Sequence, residues 1–89
     1  MVTQHARQRM QQRGTGLTDV DLLLAYGRCQ YDRGCEIYSL DHGSASRLAR
    51  ETGLPDAAID RLRRRYVVAA GDDVVTVAIR RGRLKERRH

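Results

Sequence analysis

The sequence predicts an α+β fold: an N-terminal helical hairpin packed on a small antiparallel sheet of about four strands, with an inserted two-helix segment before the last hairpin. Three observations lead to this prediction. Helical periodicity precedes Gly27, two pairs of strand-like runs flank short polar turns, and a second helical pair surrounds Gly53. A length of 89 residues fits one domain, residues 1–89.

The N-terminal hairpin is predicted from two short amphipathic stretches. Residues 4–13 form the first, because Ala6 and Met10 make a narrow apolar stripe. The second begins near Thr18, whose hydroxyl is a suitable N-cap, and ends at Gly27. Its predicted buried face consists of Leu17, Val20, Leu23 and Leu24. We expect the two helices to pack together.

Four strands are predicted as two hairpins. The first joins residues 28–31 to 35–40, two alternating runs around a polar turn. The second joins residues 66–70 to 74–79 through Gly71-Asp72-Asp73, and its β-branched runs make it the strongest strand prediction in the chain. Each hairpin therefore supplies half of the antiparallel sheet.

Two cysteines flank the first turn. A three-residue turn pairs Tyr31 with Cys35 and Cys29 with Ile37, so the two sulfurs would not face each other. A metal site would need two more ligands at suitable spacing. The sequence therefore predicts two buried free thiols and neither a metal nor another cofactor.

The segment between the hairpins is predicted as two helices. Ser44 or Ser46 is the expected N-cap of the first, which stops at Gly53, and Pro55 begins a second that reaches about Arg65.

This pair also gives the chain an alternative function, a helix-turn-helix DNA-binding regulator that uses residues 45–65. Small, turn and core residues fall at the required spacing, at Ala49, Gly53, Ile59 and Leu62. Asp56 and Asp60 argue against it, since they place negative charge in the part of the second helix that would meet DNA phosphate. A structural helical hairpin explains the same pattern.

The distribution of positive charge points to a polyanionic partner. The net charge is +6, and all 17 Lys and Arg residues are Arg except Lys85. They collect at the two ends of the chain and in one run after residue 60, as expected of a nucleic-acid-binding surface. The predicted nucleic-acid contacts are Arg61, Arg63, Arg64, Arg65, Arg81, Arg83, Lys85, Arg87 and Arg88.

His5, Arg9 and Arg13 are the arrangement most typical of a functional site. Their four-residue spacing places them along one face of the first helix. A histidine can transfer protons near neutral pH, and the two arginines stay charged. This face suits phosphate chemistry and RNA in particular, although each residue taken alone is common on solvated helix surfaces.

Both ends of the chain resemble known bacterial families. HARQRMQQRG, followed by a helix ending in Tyr-Gly, resembles the N-terminal motif of a family of small uncharacterised bacterial domains. VTVAIRRGRLKERRH is similar to the end of BrnT-type toxins. Both resemblances point to the RelE-like group of small ribonucleases, whose fold sets N-terminal helices against an antiparallel sheet. The two-helix segment departs from that pattern.

The resemblance implies a nucleic-acid-binding protein with a RelE-like fold, either a metal-independent endoribonuclease of a toxin-antitoxin system or a decayed relative that still binds RNA. A 2′-hydroxyl would attack the adjacent phosphate, with His5 as the group that transfers protons. Arg9, Arg13 and Arg80 would hold the phosphate, and Thr76 would donate a hydrogen bond to it. The second proton carrier has three candidates, Tyr66, His42 and His89.

The expected partners are nucleic acid, with RNA favoured over DNA, and an acidic antitoxin-like protein. A third function class follows from the latter, a protein-interaction module whose basic surface docks an acidic partner. No apolar run approaches the roughly 18 residues of a membrane span, and the N-terminus lacks the apolar segment of a signal peptide. We therefore expect a cytoplasmic protein without membrane contact.

Overall fold

Four helices and four strands make up the structure, a computed structural model that describes residues 1–80. In chain order they are α1 (Gln4–Arg13), α2 (Leu17–Tyr26), β1 (Arg28–Asp32), β2 (Cys35–Ser39), α3 (His42–Thr52), α4 (Asp56–Arg63), β3 (Arg65–Ala70) and β4 (Asp73–Ile79). The predicted α+β class and the inserted two-helix segment are confirmed.

The sheet is antiparallel throughout and follows the chain, in the order β1-β2-β3-β4. The α3–α4 pair connects two neighbouring strands, β2 and β3. Beyond β4, Val2 forms a parallel bridge with Val74, and the Thr3 amide donates to the Val74 carbonyl at 3.0 Å. The N-terminal residues therefore cover part of the β4 edge.

The two faces of the sheet have different surroundings. Val67 of β3 and its β4 partner Val77 are fully buried and belong to the hydrophobic core with the helices. Tyr66 and Val68 alternate with Val67 and are only half-buried. Because successive side chains of a strand point to opposite faces, the helices cover one face of the sheet and leave the other open. We call the second the open face.

The helix termini show how local sequence builds the N-terminal pair. The Thr3 hydroxyl accepts from the Ala6 amide at 3.2 Å, and Gly14 ends α1 with a left-handed φ of 64°. The prediction of Thr18 as the α2 cap is wrong: α2 begins at Leu17 after Gly16, which makes no side-chain cap. Leu17, predicted to lie on the buried face of α2, is instead 53% exposed.

The first hairpin differs from its predicted register by one residue. Its turn has two residues, Arg33 and Gly34, with φ of 54° and 82°, the two positive values of a type I′ turn. Asp32 therefore pairs with Cys35, and Cys29 pairs with Tyr38. The two cysteines lie on opposite faces and are half-buried rather than buried.

The N-cap of α3 is Asp41, and neither predicted serine takes this role. The Asp41 carboxylate accepts from the Ser44 amide at 2.8 Å, while the Ser44 hydroxyl accepts from the Asp41 amide at 3.0 Å. This reciprocal pair is a capping box, in which Ser44 is the third helical residue. As a result His42 lies in the first turn of α3.

The second helix of the insertion begins one residue later than predicted and ends two residues earlier. Pro55 is the N-cap of α4 and not its first helical residue, and α4 ends at Arg63, which leaves Arg65 to begin β3. The last hairpin is confirmed, with Asp73 inside β4 and a bulge between Val68 and Ala69.

Candidate nucleic-acid interface

The open face carries a cavity of about 420 Å³. All four strands of the sheet contribute to it or end beside it. Its lining consists of Arg28, Gln30, Ile37, Ser39, Leu40, Asp41, Tyr66 and Arg80. This volume lies within the range of small-molecule sites in proteins.

Strand pairing explains why these residues meet. Arg28 pairs with Ser39 across β1 and β2, and Ser39 pairs with Tyr66 across β2 and β3. Arg80 follows β4, and its amide donates to the carbonyl of Arg64. The sheet thus places Tyr66 between Arg28 on one side of the cavity and Arg80 on the other.

Among residues 1–80, Asp41 supplies the one acidic group in the cavity lining, and its carboxylate is already engaged. It accepts from Ser44 within the capping box, and Arg28 Nη1 lies 3.4 Å from its Oδ2. The hydrogen bonds from Ser44, and then that from Arg28, lower the pKa of Asp41. Asp41 is therefore an anion that orients Arg28, while Arg80 Nη1 donates to the Arg63 carbonyl at 3.4 Å.

The predicted catalytic residues fall on two separate surfaces. Arg80 lines the cavity, and Thr76 lies on the same sheet face, where it pairs with Val68. His5 and Arg13 are exposed on α1, which packs on β4, and half-buried Arg9 donates to Gln12 at 3.4 Å. Within residues 1–80, no α1 side chain lines the cavity.

Of the proton carriers considered, Tyr66 is the one that lines the cavity, between Arg28 and Arg80. His42 is exposed in the first turn of α3, directly after Asp41. His89 lies outside the described residues. The arrangement offers two cations for a phosphate and an aromatic ring for a base, and the phenol of Tyr66 lies in the same cavity lining.

Arg65, predicted to contact nucleic acid, serves the fold instead. It is 9% exposed, and its guanidinium donates to the Thr15 hydroxyl at 2.8 Å, the Arg61 carbonyl at 2.9 Å and the Arg13 carbonyl at 3.2 Å. The two carbonyls belong to the last turns of α4 and α1, which are the negative ends of the helix dipoles. The buried charge is thereby balanced without an acid.

The other arginines of that run lie near the end of α4. Arg61 Nη2 lies 3.1 Å from Asp19 Oδ1, and Arg63 and Arg64 are exposed. The remaining predicted contacts, Arg81, Arg83, Lys85, Arg87 and Arg88, lie outside the described residues.

The helix-turn-helix alternative has the expected turn but an acidic second helix. Gly53 ends α3 with a left-handed φ of 70°, and α4 is eight residues long. Asp56 and Asp60 are both exposed on α4. Because its first turns would enter the major groove, these carboxylates would oppose duplex phosphate there.

A second group of titratable side chains lies on the helix-covered face. The Tyr38 hydroxyl donates to Glu36 Oε1 at 3.0 Å. This hydrogen bond and one with Cys29 raise the pKa of Tyr38 to about 12. These side chains alternate with the cavity residues of β1 and β2, so they do not contribute to the cavity.

Residues 1–80 contain no group of three or more His, Cys, Asp or Glu side chains placed to hold a metal ion. In the same part of the chain, no helix combines the length and apolar character that a membrane crossing requires.

Comparison with known protein families, with characterised proteins and with solved structures finds no match to this chain. The resemblance to RelE-like and BrnT-type toxins therefore stays a prediction. The structure by itself defines the class of protein: a small α+β domain with one helix-covered and one open sheet face.

Sequence reasoning missed Arg28, Gln30 and Ser39. The alternation of β1 and β2 was visible in the sequence and places these three on one face of the hairpin. The order of the strands in the sheet could not be predicted from this pattern, and it is the strand order that places this face beside Tyr66 and Arg80.

Proposed function

We propose that this protein binds single-stranded RNA on its open sheet face and is a RelE-like nucleic-acid-binding protein. The observation that carries the proposal is the cavity in which Arg28 and Arg80 flank Tyr66. Arginine binds phosphate through a planar fork of donors, and tyrosine stacks on unpaired bases. A nucleotide in this cavity would meet both.

The shape of the site favours a single strand. A cavity of about 420 Å³ holds an unpaired nucleotide, whereas a duplex keeps its bases stacked and paired. Gln30 and Ser39 supply side-chain hydrogen-bonding groups in the same cavity, which a ribose 2′-hydroxyl can use. These groups support RNA over DNA as the preferred partner.

A binding experiment tests this proposal. Fluorescence anisotropy with a labelled single-stranded RNA should show that Arg80→Ala weakens binding about tenfold or more, because a hydrogen bond to a charged group is worth about 1.5–3 kcal/mol. Tyr66→Ala should have an effect of similar size through lost stacking. Arg50→Ala, at an exposed α3 position outside the cavity lining, is the matched control. Equal affinity in all four proteins would refute the site.

Metal-independent RNA cleavage is the activity that we propose for this protein. A 2′-hydroxyl attacks the neighbouring phosphate, a base takes its proton, and an acid protonates the leaving 5′-oxygen. His5 is the candidate from the sequence, and Tyr66 is the candidate from the cavity. Because His5 and Tyr66 lie on separate surfaces, mutation of each can show which of the two residues transfers protons.

Purified wild type, His5→Ala and Tyr66→Phe proteins should be incubated with labelled total RNA in EDTA and followed on a gel. Cleavage by wild type that His5→Ala abolishes would assign proton transfer to α1, and loss in Tyr66→Phe would assign it to the open face. No cleavage by wild type, with RNA binding retained, would identify a binding protein.

Duplex DNA and an acidic protein remain the competing partners. Duplex binding that Arg61→Ala weakens and Arg80→Ala does not would favour the helix-turn-helix function. An absence of nucleic-acid binding near physiological salt would favour the protein-interaction module.

A further inference from the structure

The outer edge of β1 has no strand beside it among residues 1–80. The sheet begins with β1, whereas its opposite edge is partly covered at Val74 by Val2. An uncovered edge presents unpaired main-chain amides and carbonyls, which are a template for another strand. This edge is therefore open to strand addition.

The turn of the first hairpin determines which groups face outward. Asp32 and Cys35 flank a two-residue type I′ turn and so form a hydrogen-bonded pair. Hydrogen-bonded and non-hydrogen-bonded pairs alternate along an antiparallel ladder. The main-chain groups of Arg28, Gln30 and Asp32 consequently point to β2, and those of Cys29 and Tyr31 point outward.

We propose that β1 pairs antiparallel with β1 of a second copy of this chain, centred on Gln30. In this register Cys29 lies opposite the partner's Tyr31, and Tyr31 lies opposite the partner's Cys29. Both are hydrogen-bonded pairs, because these are the residues whose main-chain groups face outward. The two sheets would join into one continuous sheet.

Charge complementarity supports a second copy as the occupant. Centring on Gln30 places Arg28, whose Nη1 also lies 3.4 Å from Asp41 Oδ2, opposite the partner's Asp32 at both ends of the strand pair. These are non-hydrogen-bonded pairs, in which opposite side chains come closest, with Cα atoms about 4.5 Å apart. The five residues of β1, RCQYD, thus have charges that match in this antiparallel register.

Exposure of Tyr31 gives a second reason. Its side chain is 78% exposed, the most of any tyrosine in the part of the chain described here. Pairing would lay it across the partner's Cys29 and bring the two copies of Tyr31 to diagonal positions, within reach of aromatic side chains. The pairing therefore covers an otherwise solvated aromatic ring.

The short strand implies a weak dimer. A pair of five-residue edges forms about four main-chain hydrogen bonds and covers less than the roughly 1,200 Å² of a standard stable interface. The proposal is independent of the RNA-binding function, although Arg28 and Gln30 also line the cavity. In the dimer the two cavities would lie on one continuous open face.

A cysteine at the centre of the pairing tests the proposal in the full chain. Gln30→Cys, in a Cys29→Ser and Cys35→Ser background, should form an intermolecular disulfide on mild oxidation, because the two Cα atoms at the dyad lie within disulfide range. Asp32→Cys in the same background is the control, since its opposite residue is the partner's Arg28. More covalent dimer on a non-reducing gel from Gln30→Cys supports the pairing, and equal amounts from both overturn it.

Charge reversal tests the register. Asp32→Arg added to the Gln30→Cys protein should reduce cross-linking by placing like charges opposite, and Arg28→Asp added as well should restore it. Failure of the reversed pair to restore cross-linking, with an unchanged thermal transition, overturns the register.

A third protein avoids cysteine chemistry if those variants do not fold. Tyr31→Pro removes an outward amide without breaking the bond between β1 and β2, because proline is tolerated on edge strands. In sedimentation velocity, the mean mass of wild type should rise with concentration, and that of Tyr31→Pro should not. Identical behaviour would overturn the proposal.

Discussion

At the scale of single residues, Arg65 shows how a charged side chain becomes structural. It begins β3 and joins that strand to the last turns of α1 and α4 through two hydrogen bonds and to Thr15, which follows α1, through a third. A lysine could not reproduce this geometry, because its ammonium lacks the planar fork of donors. Two arginines that are neighbours in the sequence thus differ in environment: the Arg64 side chain is exposed, and the Arg65 side chain is buried and structural.

Replacement of Arg65 should be among the most destabilising changes in the chain. Arg65→Ala leaves the Thr15 hydroxyl and two carbonyls without their donor, so the free energy of unfolding should fall by about 3 kcal/mol. Chemical denaturation followed by circular dichroism measures it. Arg64→Ala removes an exposed neighbour and should change stability by less than about 0.5 kcal/mol. Equal losses in both variants would contradict the structural role.

Asp41 should make stability depend on pH in the acid range. Hydrogen bonds with Ser44 lower its pKa in the folded protein below the ordinary 3.8. Its contribution is therefore fully present above that value and is lost as pH falls through the lowered pKa. Asp41→Asn keeps a capping oxygen but does not titrate, so its unfolding free energy should vary less below about pH 4. Parallel pH curves for the two proteins would contradict this role.

At the scale of elements, the first hairpin contains an unfavourable residue. Arg33 has a φ of 54°, a left-handed conformation that costs most side chains about 1 kcal/mol. Asparagine before glycine is the preferred type I′ sequence, so Arg33→Asn should raise the free energy of unfolding by about 0.5 kcal/mol. Thermal unfolding measures the change.

Gly34 provides the opposite test in the same turn. Its φ of 82° suits glycine, and Gly34→Ala should lower stability by about 1 kcal/mol. Stabilisation by both substitutions would show that the turn is not type I′.

Most elements could be predicted from the sequence, and their ends could not. The last hairpin could be predicted because the strand preference of its β-branched residues can be read from the local sequence alone. The N-cap of α3 was predicted at the wrong residue because both Asp41 and Ser44 can cap a helix. In the capping box Asp41 is the N-cap and Ser44 is the third helical residue. The predicted pairing of β1 with β2 was wrong by one residue, because Asp32 is compatible with both a turn and a strand and was assigned to the turn.

At the scale of the whole molecule, the candidate site was only partly predictable. The spacing of His5, Arg9 and Arg13 is local, and a helix preserves it. The cavity instead joins residues from distant parts of the chain, and their meeting depends on strand order and on which sheet face the helices cover. No local pattern contains that information.

Net positive charge should make RNA binding depend on salt. Affinity should fall linearly with salt on logarithmic axes, with a slope set by the number of phosphates contacted. Arg80→Ala should reduce that slope by about one if Arg80 binds a phosphate, whereas Tyr66→Phe should leave it unchanged. A titration at several salt concentrations gives both slopes, and an unaltered slope in Arg80→Ala would remove Arg80 from the phosphate contacts.

The position of α3 and α4 between two adjacent strands has a consequence for folding. Each hairpin closes through its own short turn, whereas joining β2 to β3 requires closure of the whole helical connection between Ser39 and Arg65. Loop-closure entropy grows slowly with length, and helices form quickly from local contacts. The hairpins and helices can therefore form early, and docking of β2 on β3 is the step that commits the chain to its native topology.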